Sequence, residues 1–99
     1  MSNINYNSAA VTDFCRRNLI KRLAFFGSVI RDDFRPDSDV DILVEFLPEA
    51  RVGFLGMARL ENELTAIIGR KVDLRTPAEL SRYFVDEVLE QAEVQYAEA

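Results

Sequence analysis

Residues 40–46 constrain this chain more than any other stretch. Val40, Ile42, Val44 and Phe46 alternate with Asp41, Leu43 and Glu45. Side chains alternate across a strand, so the first set shares one face and the second set, with Asp39 ahead of it, shares the other. Pro48 closes the run. Such a strand needs partners. Leu23-Ala24-Phe25-Phe26, stopped by Gly27, reads as a short buried strand, and Lys71 to Leu74 reads as a third.

Helical patterns fill the spaces between these strands. Ser8 to Leu19 reads as a helix with Asn7 or Ser8 as its cap. Ser28 to Phe34 suits a helical turn, and Arg35 to Ser38 a loop. From about Phe54 to Ile68, Met57, Leu60, Leu64, Ile67 and Ile68 line one helical stripe, and Gly69 stands where a C-cap glycine belongs. Pro77 opens a short helix to about Arg82. A last helix runs from Phe84 to about Ala92, with Val85, Val88, Leu89 and Ala92 as its apolar stripe. Strands interleaved with helices predict an α/β (α+β) fold, a small sheet flanked by helices. Periodicity does not set the strand order.

Bulk properties narrow the chemistry. The 99 residues fit one domain, and 48% hydrophobic content supports a core without disulfides. The lone Cys15 falls in a helical pattern and reads as a buried or half-buried thiol. The absence of histidine excludes Ser-His-Asp chemistry and histidine-ligated zinc. The net charge of −5 argues against a broad nucleic-acid surface. Acids concentrate at Asp32, Asp33, Asp37, Asp39, Asp41 and Glu45, and again from Asp86 to Glu98. The first group suits metal ions, and the second reads as a solvated surface or a face for a basic partner. The polar start lacks a signal-peptide pattern, and the uncharged run Leu23 to Ile30 is far below the roughly 20 residues that span a bilayer. The cytoplasm is the expected location, with no membrane contact.

The chemistry sits around Asp39 and Asp41. Two residues apart on a strand, their Cα atoms lie roughly 6.6 Å apart on one face. Held at 4 Å, two carboxylates repel by about 4 kcal/mol at an effective dielectric of 20, so a cation between them is favoured. Two metals about 3.5–4 Å apart are the usual clamp for phosphoryl and nucleotidyl transfer. Asp37-x-Asp39-x-Asp41 also resembles the start of an EF-hand loop. That loop requires Gly at its sixth position and Glu at its twelfth, where this chain has Ile42 and Pro48. Gly27-Ser28 follows a strand and opens a helical turn, an arrangement that can approach phosphate oxygens, although the same pair often only ends a strand. No Gly-Lys-Ser/Thr follows, so this is not a P-loop. Asp73 interrupts an apolar strand. An acid there is costly unless it is paired, and it can complete a metal site, act as a base, or pair with Arg70, Lys71 or Arg75.

These pieces together resemble the DNA polymerase β-type nucleotidyltransferase superfamily, whose signature is Gly-Ser, ten residues, then Asp-x-Asp, with a third carboxylate on a later strand. Here Gly27-Ser28, the ten residues Val29 to Ser38, and Asp39-Val40-Asp41 follow in that order. Size, the stretches Phe26 to Arg31 and Asp37 to Val44, and Gly69 to Leu74 resemble the minimal nucleotidyltransferases (MNT) over nearly the whole chain. The resemblance implies a mixed sheet flanked by helices in a single domain over residues 1–99. It implies that Gly27 and Ser28 bind the triphosphate of ATP, with Arg31 near it. It implies that Asp39, Asp41 and Asp73 form the catalytic carboxylates and hold Mg2+ in a two-metal site. One departure is Asp32, where many members have Gly, and it is expected to alter loop shape rather than chemistry.

Many such proteins are antitoxins paired with a HEPN ribonuclease toxin. In those pairs the family transfers AMP from ATP to a toxin tyrosine. Three functions follow as expectations: AMP transfer to a HEPN-type toxin, masking of that toxin by direct binding, and nucleotidyl transfer to a small molecule. The last ranks lowest, because resistance enzymes of this superfamily carry an additional helical domain. The sequence leaves the acceptor, the nucleotide preference and the oligomeric state open, and a homodimer is one state it allows.

Overall fold

A computed structural model of the chain describes residues 4–31, 34–80 and 85–98. The order is α1 (Ser8–Arg17), β1 (Ile20–Phe26), a 3-10 turn (Gly27–Ile30), β2 (Val40–Phe46), α2 (Phe54–Ile68), β3 (Val72–Arg75), a 3-10 turn (Pro77–Glu79), α3 (Val85–Gln91) and β4 (Glu93–Ala97). The strands form one mixed sheet in the order β3-β2-β1-β4. β1 pairs antiparallel with β2 and β4, and β2 pairs parallel with β3. A small sheet flanked by helices is what the pattern predicts, and its mixed strand directions are what the resemblance implies.

Local chemistry explains the boundaries. Asn7 caps α1, its side chain accepting from the Ala10 amide at 3.1 Å. The helix ends at Arg17, not at Leu19 as the pattern suggests. The Asn18 amide and side chain both donate to the Phe14 carbonyl. Leu19 then takes a positive φ of 55°, which turns the chain into β1. Gly69 at φ 79° ends α2 in the left-handed region, where a side chain is disfavoured.

One face of the sheet carries the core. Val11, Phe14 and Cys15 of α1 and Leu60, Leu64 and Ile68 of α2 pack with Leu23, Phe25, Val40, Ile42, Val44, Val72 and Leu74. Arg17 ties the two helices, bonding Asp13 on its own helix and Glu63 on α2. β3 lies at the sheet edge, and α2 closes that edge with side chains. Thr65 Oγ1 accepts from the Val72 amide at 3.1 Å, and Glu61 Oε2 accepts from the Leu74 amide at 2.9 Å. Edge amides left bare would be a template for other strands.

Other elements also differ from the pattern. β1 begins at Ile20, three residues early, because Lys21 and Arg22 point to solvent while Ile20 and Leu23 are buried. β4 was not expected: residues 93–97, read as acidic surface, pair with β1 as an edge strand. The Tyr6 hydroxyl donates to Gln95 Oε1 on that strand, and the Tyr6 ring meets Phe25 edge-on. The turn after Thr76 is a 3-10 segment over Pro77–Glu79, and α3 starts at Val85 with none of its residues fully buried. The expected extents to Arg82 and from Phe84, and the departure at Asp32, lie outside the described residues.

Candidate active site

The face of the sheet opposite the main core carries the acids. Cross-strand register places Phe26 opposite Asp41, and Asp41 opposite Asp73, so Gly27, Asp41 and Asp73 meet near one row across β1, β2 and β3. Asp39 is exposed one residue before β2, where the Val40 amide donates to the Lys71 carbonyl at 2.8 Å. Ala24 and Leu43 on the same face are buried, so the acids border an apolar floor.

Gly27 is required by this packing. Its φ is 73°, and a Cβ built on it would fall 2.2 Å from Asp41 Oδ2 and 3.1 Å from Asp41 Cγ. The Asp41 carboxylate therefore occupies the space a side chain at residue 27 would need. The 3-10 turn begins here, with Ser28 half-buried and its carbonyl accepting from the Arg31 amide at 2.9 Å. A cleft of about 240 Å³ beside this turn is lined by Phe26, Gly27, Ile30, Arg31, Val88 and Gln91.

The electrostatics are those of acids brought together. Burial first, and then the charges of Asp73 and Asp39, push the Asp41 carboxyl above its ordinary pKa, and Arg31 and Arg75 oppose the shift. Asp73 is half-buried and paired with Arg75, whose Nε lies 3.1 Å from Oδ1 and Nη2 3.4 Å from Oδ2. Of the three cations open as Asp73 partners, Arg75 takes that place, and Asp73 in turn raises the Arg75 pKa. As the side chains stand, among the described residues no three acid, His or Cys groups close into a metal-binding cluster. Asp73 turns toward Arg75, and Asp39 is exposed, with its charge near enough to raise the Asp41 pKa.

The donor set nevertheless fits a hard divalent cation. It supplies carboxylate oxygens only, and one of them is already disfavoured as a lone charge by its acidic neighbours. Asp73 also lines a second groove of about 590 Å³, together with Phe46, Val52, Met57, Arg75 and Glu79. Asp73 thus borders the larger groove, and Arg31 the smaller cleft. Sequence reasoning missed Glu61 on this side. Its signal was faint: an acid beside the apolar stripe of α2, one residue after Leu60.

A row of acids on a small mixed sheet, entered from a Gly-Ser turn, defines the class of the fold as a nucleotidyltransferase. The model of the nucleotidyltransferase domain family matches residues 8–94. A protein of Methanocaldococcus jannaschii assigned as a protein adenylyltransferase is 33% identical over 90 residues, 91% of this chain and 95% of that one. A solved structure described as a minimal nucleotidyltransferase is 35% identical, with a TM-score of 0.71 over 86% of this chain and 85% of that one. The MNT antitoxin solved in complex with a tri-AMPylated HEPN toxin of Shewanella oneidensis shares the fold. Its TM-score is 0.66 at 18% identity, over 92% of this chain and 70% of that one. The chain belongs to the nucleotidyltransferase family, among its minimal, adenylyltransferase-type members.

Proposed function

We propose that this protein transfers AMP from ATP to a hydroxyl, a tyrosine, of a cognate HEPN-type toxin and thereby acts as its antitoxin. The observation that carries the reading is the register of Asp41 directly opposite Asp73, with Gly27 packed against the Asp41 carboxylate. The adenylyltransferase assignment of the archaeal relative supports AMP as the group moved. The AMPylated HEPN toxin bound to a fold neighbour supports the acceptor class.

Each residue has a role in this reading. Asp39 and Asp41, with Asp73 as the third carboxylate, would hold Mg2+. When bound, Mg2+ neutralises charge on the phosphates and on the leaving pyrophosphate. Gly27 lets the backbone approach the triphosphate, and the Ser28 hydroxyl and turn amides bind its oxygens. Arg31, lining the adjacent cleft, adds positive charge beside the phosphates. Asp73, facing the larger groove, takes the proton from the acceptor hydroxyl. The acceptor oxygen bonds to the α-phosphorus, the bond from that phosphorus to pyrophosphate breaks, and AMP remains on the toxin.

A second reading, masking by contact, draws on Phe54 and Leu55 at the start of α2, which are 89% and 78% exposed. Large exposed apolar side chains side by side suit a protein surface. The two readings separate in one experiment. The chain and its toxin partner are incubated with ATP labelled at the α-phosphate, with and without Mg2+. Label on the toxin, absent with Asp39→Asn, supports transfer. A stable complex with no label, in which the Asp39→Asn, Asp41→Asn double variant still silences the toxin, supports masking. We place the protein in the cytoplasm; among the described residues, no helix is long and apolar enough to cross a membrane.

A further inference from the structure

Arg70 stands at the turn from α2 into β3, yet its bonds go to a loop much earlier in the chain. Its Nη2 lies 2.8 Å from the Arg35 carbonyl oxygen, 2.6 Å from that of Pro36 and 3.5 Å from that of Ser38. Its guanidinium carbon sits 4.4 Å from the centre of the Phe34 ring. These contacts use a charged side chain on backbone oxygens and an aromatic face. The pairing with Asp73 is left to Arg75.

The gripped loop leads straight into Asp39. Inside it, the Ser38 amide donates to the Arg35 carbonyl, and the Arg35 amide donates to Ser38 Oγ, both at 3.0 Å. Past it, the Val40 amide is fixed to the Lys71 carbonyl. Asp39 therefore lies between two anchors that both come from the 70–71 turn. It is itself exposed, so burial does nothing to hold it. A planar guanidinium can bond several oxygens and stack at once, whereas a lysine ammonium is a point charge.

We infer that Arg70 is a positioning residue for Asp39: it fixes the backbone of residues 34–38 so that the Asp39 carboxylate is presented beside Asp41. The inference rests on the proposed role of Asp39 in holding the divalent cation. Outer-shell supports of this kind change metal affinity more than they change the fold.

The test measures Mn2+ binding to the purified chain alone by titration calorimetry, together with amide exchange over residues 34–39. The variants are Arg70→Met, Arg70→Lys and Asp39→Asn. Arg51→Met is the control, because Arg51 bonds the carbonyls of Pro48 and Ala50 in another loop. Expected are Mn2+ binding by the wild type, none by Asp39→Asn, about tenfold weaker binding by both Arg70 variants, and no change with Arg51→Met. The Arg70 variants should also exchange faster over residues 34–39. In transfer assays they should need more metal for half-maximal rate, with the rate at saturating metal retained. Wild-type affinity in either Arg70 variant overturns the inference alone. If Arg70→Met fails to fold, Arg70→Lys, which keeps the charge, decides. A wild type that binds no Mn2+ overturns the reading of Asp39, and this inference with it.

Discussion

Gly27 and Asp41 share one space: a Cβ on the glycine would sit 2.2 Å from a carboxylate oxygen of the aspartate. The Gly-Ser turn and the Asp-x-Asp strand are thus one packed unit, and changing one moves the other. The Gly27→Ala variant places a side chain at φ 73°, which costs an L residue about 1–2 kcal/mol. It also pushes the Asp41 carboxylate out of place. Denaturant unfolding should show that loss of stability. Mn2+ titration should show weakened binding even at temperatures where the variant is fully folded.

Asp41 makes the metal-free protein pH-sensitive. Its folded pKa is raised above the unfolded value of 3.8 by burial and by the charges of Asp73 and Asp39. The folded state then keeps the proton to higher pH, and stability falls as pH rises through that window. The Asp41→Asn variant should therefore unfold at higher denaturant than wild type at neutral pH, without metal. That gain should vanish once the pH falls below 3.8. Adding Mg2+ should reverse the ranking, since a ligand at a hundred times its Kd adds about 2.7 kcal/mol to the form that binds it.

Cys15 is fully buried on the inner face of α1, and burial pushes its thiol from 9.0 up to about 12. The unfolded thiol ionises near 9 and the folded one only near 12, so stability is lost as pH rises between these values. The Cys15→Ala variant should lose this alkaline dependence, although the smaller side chain lowers its stability throughout. Alkylation of wild-type Cys15 at pH 8 should track global unfolding and be negligible in the folded protein.

The edge of β3 depends on two side chains of α2. The Thr65→Val variant leaves the Val72 amide without its acceptor, which costs about 1–3 kcal/mol. Because β3 carries Asp73, the loss should also appear as weaker metal binding. Thermal melts and Mn2+ titration of Thr65→Val, compared with the neighbouring exposed substitution Ala66→Ser, would show whether the edge contact carries the effect.

Much of the architecture was legible because its periodic segments are strong. β2 and α2 begin and end where alternation and the apolar stripe place them, at Val40–Phe46 and Phe54–Ile68. Weak periodicity hid the rest. Lys21 and Arg22 masked the first half of β1, and β4 is an edge strand with Val94 53% exposed, so its alternation is shallow. The Asp39-x-Asp41 spacing was visible along the chain. The juxtaposition of Asp41 with Asp73 was not, because it depends on β3 lying parallel beside β2, and local pattern does not set strand order. The Arg70 contact spans 32 to 35 residues and left no local trace.

The most direct test takes intact masses of the chain and its HEPN-type partner after incubation with ATP and Mg2+, using wild type and Asp39→Asn. The account predicts one or more AMP units added to the partner by the wild type, and none by the folded Asp39→Asn variant. An unmodified partner in a stable complex, or equal modification by Asp39→Asn, would contradict the assignment of these aspartates to nucleotidyl transfer.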